Sequence, residues 1–378
     1  MDTQGKLLGL AAMQNIDNRS SASQMGSCGL VKWCYSMSHL ASLPYLINTT
    51  ELLVITNDEI TSRSLCVPAV AVRLRVLPLD RALEPLINGW AAMLNYSAYI
   101  WPRQLSLRAL YKLQLFRLTE YHAILFTDVD VDPFLLSAGK PPSFTSSAAR
   151  DMERAWTVAF KALLESPVRL VASSDIASPI NTAVMVLKPN LSIFEEGMEI
   201  LRRRRFNPQL GFDFVGRPRD ALAHLHKTPE WIRIERTRML QDNDWNFIGG
   251  HACQGLFVYL FLVRGDGEPL RYFAYPKSRA LRLQQGLGTM RVRHFNSGTK
   301  PWRPPVKCSR YLEFMLHADG LPSYLPGAAY CWDLLHQKQT CLQKRLNRAG
   351  CAACRKMKYA TLCSGKPEMC RGTDVLVL

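Results

Sequence analysis

The chain has 378 residues, 48% of them hydrophobic, and a formal net charge of +16. That apolar content excludes a disordered polypeptide and suffices for one large α/β domain or two smaller ones, while no apolar stretch reaches the roughly 18 residues that a membrane-spanning helix needs. The charge calls for acidic partners without choosing among nucleic acid, anionic glycans, phosphorylated substrates and membrane surfaces.

In chain order, Leu7 to Met13 is apolar but too short and too weakly flanked for a signal sequence. Leu52-Leu53-Val54-Ile55-Thr56 reads as a buried strand ending in Asn57-Asp58, and residues 72–77 alternate as a more exposed strand would. Leu107 to Leu118 reads as a helix, because its apolar residues recur at spacings of three and four. Ala123-Ile124-Leu125-Phe126 is apolar without interruption, the pattern of a strand covered on both faces. Ala183-Val184-Met185-Val186-Leu187, closed by Lys188-Pro189, predicts a further strand, followed by a helix through Phe194 and Met198. The run Arg202-Arg203-Arg204-Arg205 fits the solvated end of that helix. Residues 207–245 are rich in charge and turn formers, which predicts an insertion or a mobile loop. Strand, helix and strand in succession describe an α/β fold with a mainly parallel sheet.

Asp128-Val129-Asp130 follows the central apolar strand directly. Open parallel sheets bind ligands just beyond the carboxyl ends of their strands. Two carboxylates one residue apart can face a single hard cation where the backbone turns, and Mn²⁺ or Mg²⁺ favours such oxygen ligands together with substrate phosphates. The competing reading is an edge strand with a solvated acidic face. An EF-hand fails on spacing, because its glycine position holds Pro133 and its bidentate glutamate position Gly139.

Three blocks in order resemble glycosyltransferase family eight, the glycogenin-like enzymes. They are the helix from Lys112 through Tyr121 with its strand and acidic pair, the segment Pro179-Ile180-Asn181 through Lys188-Pro189, and His294-Phe295-Asn296-Ser297-Gly298-Thr299-Lys300-Pro301-Trp302. The resemblance implies a GT-A, Rossmann-like catalytic domain over residues 1–305 that transfers a sugar from a UDP-sugar with retention at the anomeric carbon. It implies that Asp128, Asp130 and His294 hold Mn²⁺, with Mg²⁺ as the substitute, and that Lys300 joins the two aspartates in catalysis. Lys112, Asn181, Gln254, Gly298 and Lys300 would line the donor site, and Asp175 would correspond to an acidic residue in the loop before Asn181. A retaining transferase can use a carboxylate nucleophile or accept the hydroxyl on the face the diphosphate leaves. The sequence identifies no nucleophile, so the second route is the expectation. One departure stands out: where the family has Asp-Gln-Gly, this chain has Cys253-Gln254-Gly255, with Asp242 and Asp244 as nearby substitutes.

From Lys300 onward there are thirteen Lys and Arg against five Asp and Glu, and Cys308, Cys331, Cys341, Cys351, Cys354, Cys363 and Cys370 all fall there. Residues 306–378 therefore read as a basic module held by disulfides or, through Cys351 and Cys354, by zinc. With the sequons at Asn18, Asn48, Asn95 and Asn190, the cysteines predict a secretory lumen such as the Golgi. The expected partners are the UDP-sugar and a glycan, protein or lipid acceptor, anionic on charge grounds, and no nucleic acid. Two alternatives remain: an inactive sugar-nucleotide scaffold, suggested by Cys253, and a basic zinc-containing nucleic-acid-binding protein, suggested by the tail.

Overall fold

A computed structural model describes residues 7–14, helical positions within 29–41, residues 50–66, 72–94, 107–129, 131–132, 169–173, 178–228, 231–247 and 249–264, isolated positions near 46, 49 and 164, and the backbone of strands within 271–294. The strands are β1 (Leu8–Gln14), β2 (Thr50–Thr56), β3 (Arg73–Pro78), β4 (Ala123–Thr127), β5 (Val131–Asp132), β6 (Leu170–Ser173), β7 (Asn181–Leu187), a hairpin of β8 (Phe206–Asn207) and β9 (Gly211–Phe212), then β10 (Arg271–Ala274), β11 (Ala280–Leu283) and β12 (Arg291–His294). All but the hairpin form one sheet in the order β3-β2-β1-β4-β7-β6-β10-β11-β12-β5. The block β3-β2-β1-β4 is parallel throughout, and β6, β10 and β12 run the same way, with β7, β11 and β5 reversed. The expected α/β class with a mainly parallel sheet is the architecture observed.

Strand identity follows from two-sided burial. Leu53, Ile55, Ile124, Phe126, Met185 and Leu187 enter one apolar cluster. Their alternate neighbours Leu52, Val54, Leu125, Val184 and Val186 enter a second. A strand with two-residue side-chain period must be apolar at every position to serve both faces, which is why β2, β4 and β7 read as unbroken runs. β3 is one edge of the sheet and β5 the other, and Arg73 and Arg75 keep the β3 edge charged.

α1 (Glu59–Leu65), whose N-cap Asp58 accepts from the Thr61 amide, ends against the second cluster through Leu65 and Cys66, while the first face carries α2 (Leu83–Met93), a 3-10 helix (Ala109–Arg117) and α3 (Leu191–Arg203). The Asn190 side chain caps α3 by accepting from the Ile193 amide, and Arg202 and Arg203 occupy its last turn, as expected for a solvated helix end. The segment 107–118 is helical as expected but mostly 3-10, and Leu110 through Phe116 are all buried. The second face is covered by Leu30, Trp33, Met37 and Leu40 from the helical segment before β2.

Residues 207–245 differ from the expected insertion or mobile loop. They carry β9, α4 (Pro218–Ala221), α5 (Trp231–Ile234) and α6 (Arg238–Asp242). Phe212, Leu222, Ile234, Met239 and Trp245 are buried in the main cluster, and the Phe212 ring stacks on Trp90 at 5.3 Å. These few buried residues suffice to anchor the segment although Leu210 and Phe214 stay exposed, whereas polarity averaged over the segment hides them. The boundary at 305/306 and the cysteine-rich tail lie outside the described residues. The disulfide among the described residues joins Cys34 to Cys66 and so ties the second-face segment to the end of α1.

Candidate functional site

β4 ends at Thr127, and the chain turns at once. The Asp128 amide donates to the Ala183 carbonyl of β7 at 2.8 Å, and the Val131 amide donates back to the Asp128 carbonyl at 2.9 Å. This turn leads into β5, which pairs with β12 so that Val131 stands opposite His294. Residues 163 positions apart are thereby neighbours across two strands, and Asp130 precedes Val131 directly. Asp130 itself lies outside the described residues, as do Asp175, Gly298 and Lys300, and for His294 only the backbone is described. Among the described residues no group of three or more His, Cys, Asp or Glu side chains gathers within metal-holding reach.

Lys112 reaches this turn from the 3-10 helix. Its Nζ donates to Asp128 Oδ1 at 2.7 Å and to the Thr182 carbonyl at 2.9 Å, and it lies 4.7 Å from the centre of the Phe126 ring. The lysine side chain is 4% exposed and the aspartate side chain 32%. The ammonium is thus dry and fully engaged while the carboxylate meets solvent, the arrangement of a group that can also serve a ligand. A buried lysine is tolerable only with such partners.

Thr182 also faces α7 (Cys253–Val258), its hydroxyl 3.1 Å from Cys253 Sγ. Burial pushes the Cys253 thiol up, opposed by the nearby Lys112 charge. Cys253 is therefore a neutral, buried thiol beside the Lys112–Asp128 pair. Asp242 faces Arg238 and Asp244 accepts from the Asn246 amide, so each expected substitute carboxylate has a local engagement instead. The Gln254 Oε1 atom is buried and has no hydrogen-bond partner among the described residues.

The turn into α7 depends on glycines. A Cβ on Gly255 would stand 1.6 Å from the Gly250 carbonyl oxygen, and one on Gly250 would stand 2.0 Å from the Trp245 oxygen. Gly249 has φ +73°, open to glycine at little cost. His251 follows, its carbonyl accepting from Trp90 Nε1 at 2.9 Å and its imidazole held below its ordinary range by burial.

The structure brings Lys112, Asp128, Thr182, Cys253 and the backbone of His294 to one end of the sheet. Asn181 starts β7 there, and its Oδ1 accepts from the Ala183 amide at 2.8 Å, a strand-initiating turn. Sequence reasoning missed Thr182 and Trp33. The Trp33 indole Nε1 donates to Thr127 Oγ1 at 2.6 Å, next to Asp128. No spacing or motif marks a contact between residues 94 positions apart.

No family model matches the chain, and no curated protein matches it. Among solved structures, an active-site mutant of LgtC is 11% identical, with 85% of this chain and 99% of that one covered and a TM-score of 0.39. Mouse xyloside xylosyltransferase 1 is 12% identical, with coverage of 78% and 98% and a TM-score of 0.37. The glycosyltransferase GlyE of Streptococcus pneumoniae TIGR4 is 10% identical, with coverage of 87% and 64% and a TM-score of 0.36. Likeness this slight bears on none of the residues above.

Proposed function

We propose that the protein is a retaining glycosyltransferase that moves a hexosyl or related unit from a UDP-sugar to an acceptor hydroxyl. The observation that carries the reading is the meeting of Lys112, Asp128 and the strand ending at His294 beyond the carboxyl end of β4. Asp128, Asp130 and His294 are the residues that would hold Mn²⁺, or Mg²⁺ in its place, since carboxylate and imidazole suit such an ion. When bound, the ion supplies neutralisation of the charge that grows on the departing diphosphate.

The chain's own groups do the rest. Lys112 holds Asp128 from a dry position, so the carboxylate enters the reaction already oriented. Lys300, six residues after His294, is a point charge for the phosphates, with Gly298 giving the intervening loop room for close approach. Asn181 and Gln254 border the sugar. A buried acceptor without a donor costs about 1–3 kcal/mol, so a sugar hydroxyl donating to Gln254 Oε1 recovers that cost on binding. The acceptor hydroxyl attacks on the face from which the diphosphate departs, because no side chain is marked as a nucleophile. The Cys34–Cys66 bridge favours an oxidising lumen such as the Golgi, and the net charge of +16 favours an anionic glycan or lipid acceptor.

The test is UDP release by the purified full chain with Mn²⁺ and a panel of UDP-sugars, expected for at least one donor and abolished by Asp130→Ala. A covalent glycosyl-enzyme trapped on a side chain would overturn the same-face route. A second reading, a donor-binding scaffold without turnover, is favoured by the neutral Cys253 in a place where the family carries a carboxylate. Donor binding without UDP release identifies it.

A further inference from the structure

We infer that Trp33 is a positioning residue for Asp128, and that the Cys34–Cys66 disulfide is the staple that keeps it in place. The inference deepens the functional reading and rests on Asp128 being a site residue. Trp33 lies in the segment that covers the second face of the sheet, and only 1% of it is exposed. Its Nε1 donates to Thr127 Oγ1 at 2.6 Å, and both groups are buried. Thr127 is the last residue of β4, and Asp128 begins the turn. An indole N–H has one bond to give and no water to receive it at this depth, so this bond fixes where Thr127 can sit. The next peptide unit carries the Asp128 amide, held to Ala183. Displacing Thr127 therefore moves the carboxylate that Lys112 holds from the opposite face.

The disulfide explains how a single indole can exert this control. Residues around Trp33 belong to a segment between β1 and β2, not to the sheet, and the disulfide adds a covalent restraint to its packing. Cys34, the next residue, is bonded to Cys66 at the end of α1, which follows β2 directly. Both half-cystines are fully buried, as suits a structural staple rather than an exchanging thiol pair. Trp33 is thus clamped between a covalent bond on one side and the site strand on the other.

The test is amide hydrogen exchange of the full chain at residues 123–129, read beside its Mn²⁺ affinity by titration of the free ion. Thr127→Val and Trp33→Phe are expected to speed exchange of the Asp128 amide and to weaken Mn²⁺ binding, each by about tenfold. Thr127→Ser keeps the acceptor and should restore both. Cys34→Ser/Cys66→Ser should act in the same direction and add little to Trp33→Phe, since both loosen one device. Tyr121→Phe, which removes an equally buried bond to Glu51 at the other end of β4, should leave the Asp128 amide unchanged. Asp128 exchange within twofold of wild type in both Thr127→Val and Trp33→Phe would overturn the inference and reduce Trp33 to core packing. Faster exchange in a protein that binds no Mn²⁺ in any form would uphold Trp33 and overturn the metal reading instead.

Discussion

The Thr182 hydroxyl stands 3.1 Å from the Cys253 thiol, while the carbonyl of the same threonine accepts from Lys112 at 2.9 Å. A continuous polar chain therefore runs from Asp128 through Lys112 and Thr182 to Cys253, and its only carboxylate is the one at the solvent end. Lys112 depends on Asp128 for charge balance.

Lys112→Met is accordingly expected to destabilise the fold by about 3 kcal/mol, because the strand end loses its counter-ion and the Thr182 carbonyl its donor. Arg117→Met, which breaks a pair with Asp80 on an arginine 58% exposed, should cost under about 1 kcal/mol. Urea unfolding compares the two. Equal losses would mean that the buried ammonium contributes no more than a surface charge.

His251 should make the protein acid-sensitive. Burial lowers its folded-state pKa below the ordinary 6.5, so the unfolded chain binds a proton that the folded chain refuses. The stability contributed is complete above pH 6.5 and declines as the pH falls below that value. Urea midpoints at pH 7 and pH 5 should differ for the wild type and differ less for His251→Gln. An unchanged pH dependence in the variant counts against this assignment.

Two glycines separate steric need from backbone need. At Gly255 an added Cβ meets main chain at 1.6 Å, so Gly255→Ala should cost about 3 kcal/mol and disturb Cys253 and Gln254. At Gly216, φ is +114° and nothing lies within 4 Å of the added atom, so Gly216→Ala should cost nearer 1 kcal/mol. Thermal melts give the order, and a Gly255→Ala protein as stable as wild type would contradict the close approach.

Mn²⁺ should raise the melting temperature of the full chain, since an ion that binds only the folded state stabilises it by about 2.7 kcal/mol at a hundredfold excess over Kd. Asp128→Asn and His294→Ala should each abolish most of that shift, whereas Asp242→Asn, in a helix paired with Arg238, should not. A shift that survives both substitutions places the ion elsewhere.

Several elements were legible in the chain because their signals are local. β2, β4 and β7 are apolar at consecutive positions because neighbouring side chains must fill opposite faces, and the acidic doublet marks the end of β4 directly. Lys112 was legible through its motif, but not the reason for its burial. The segment around Trp245 was misread, since its few apolar residues carry no period, and neither Trp33 nor the Cys34–Cys66 bridge bears any local mark. Local order along the chain thus determined β2, β3, β4 and β7, the α/β class and the candidate carboxylates. Only tertiary structure decided that Lys112 would neutralise Asp128, that Cys253 would lie beside that pair, that β12 would set His294 opposite Val131, and that an indole from beyond the sheet would hold Thr127. Periodicity is a property of neighbours in sequence, while these contacts join residues 16 to 163 positions apart and exist because the closing of the sheet brings its strand ends together.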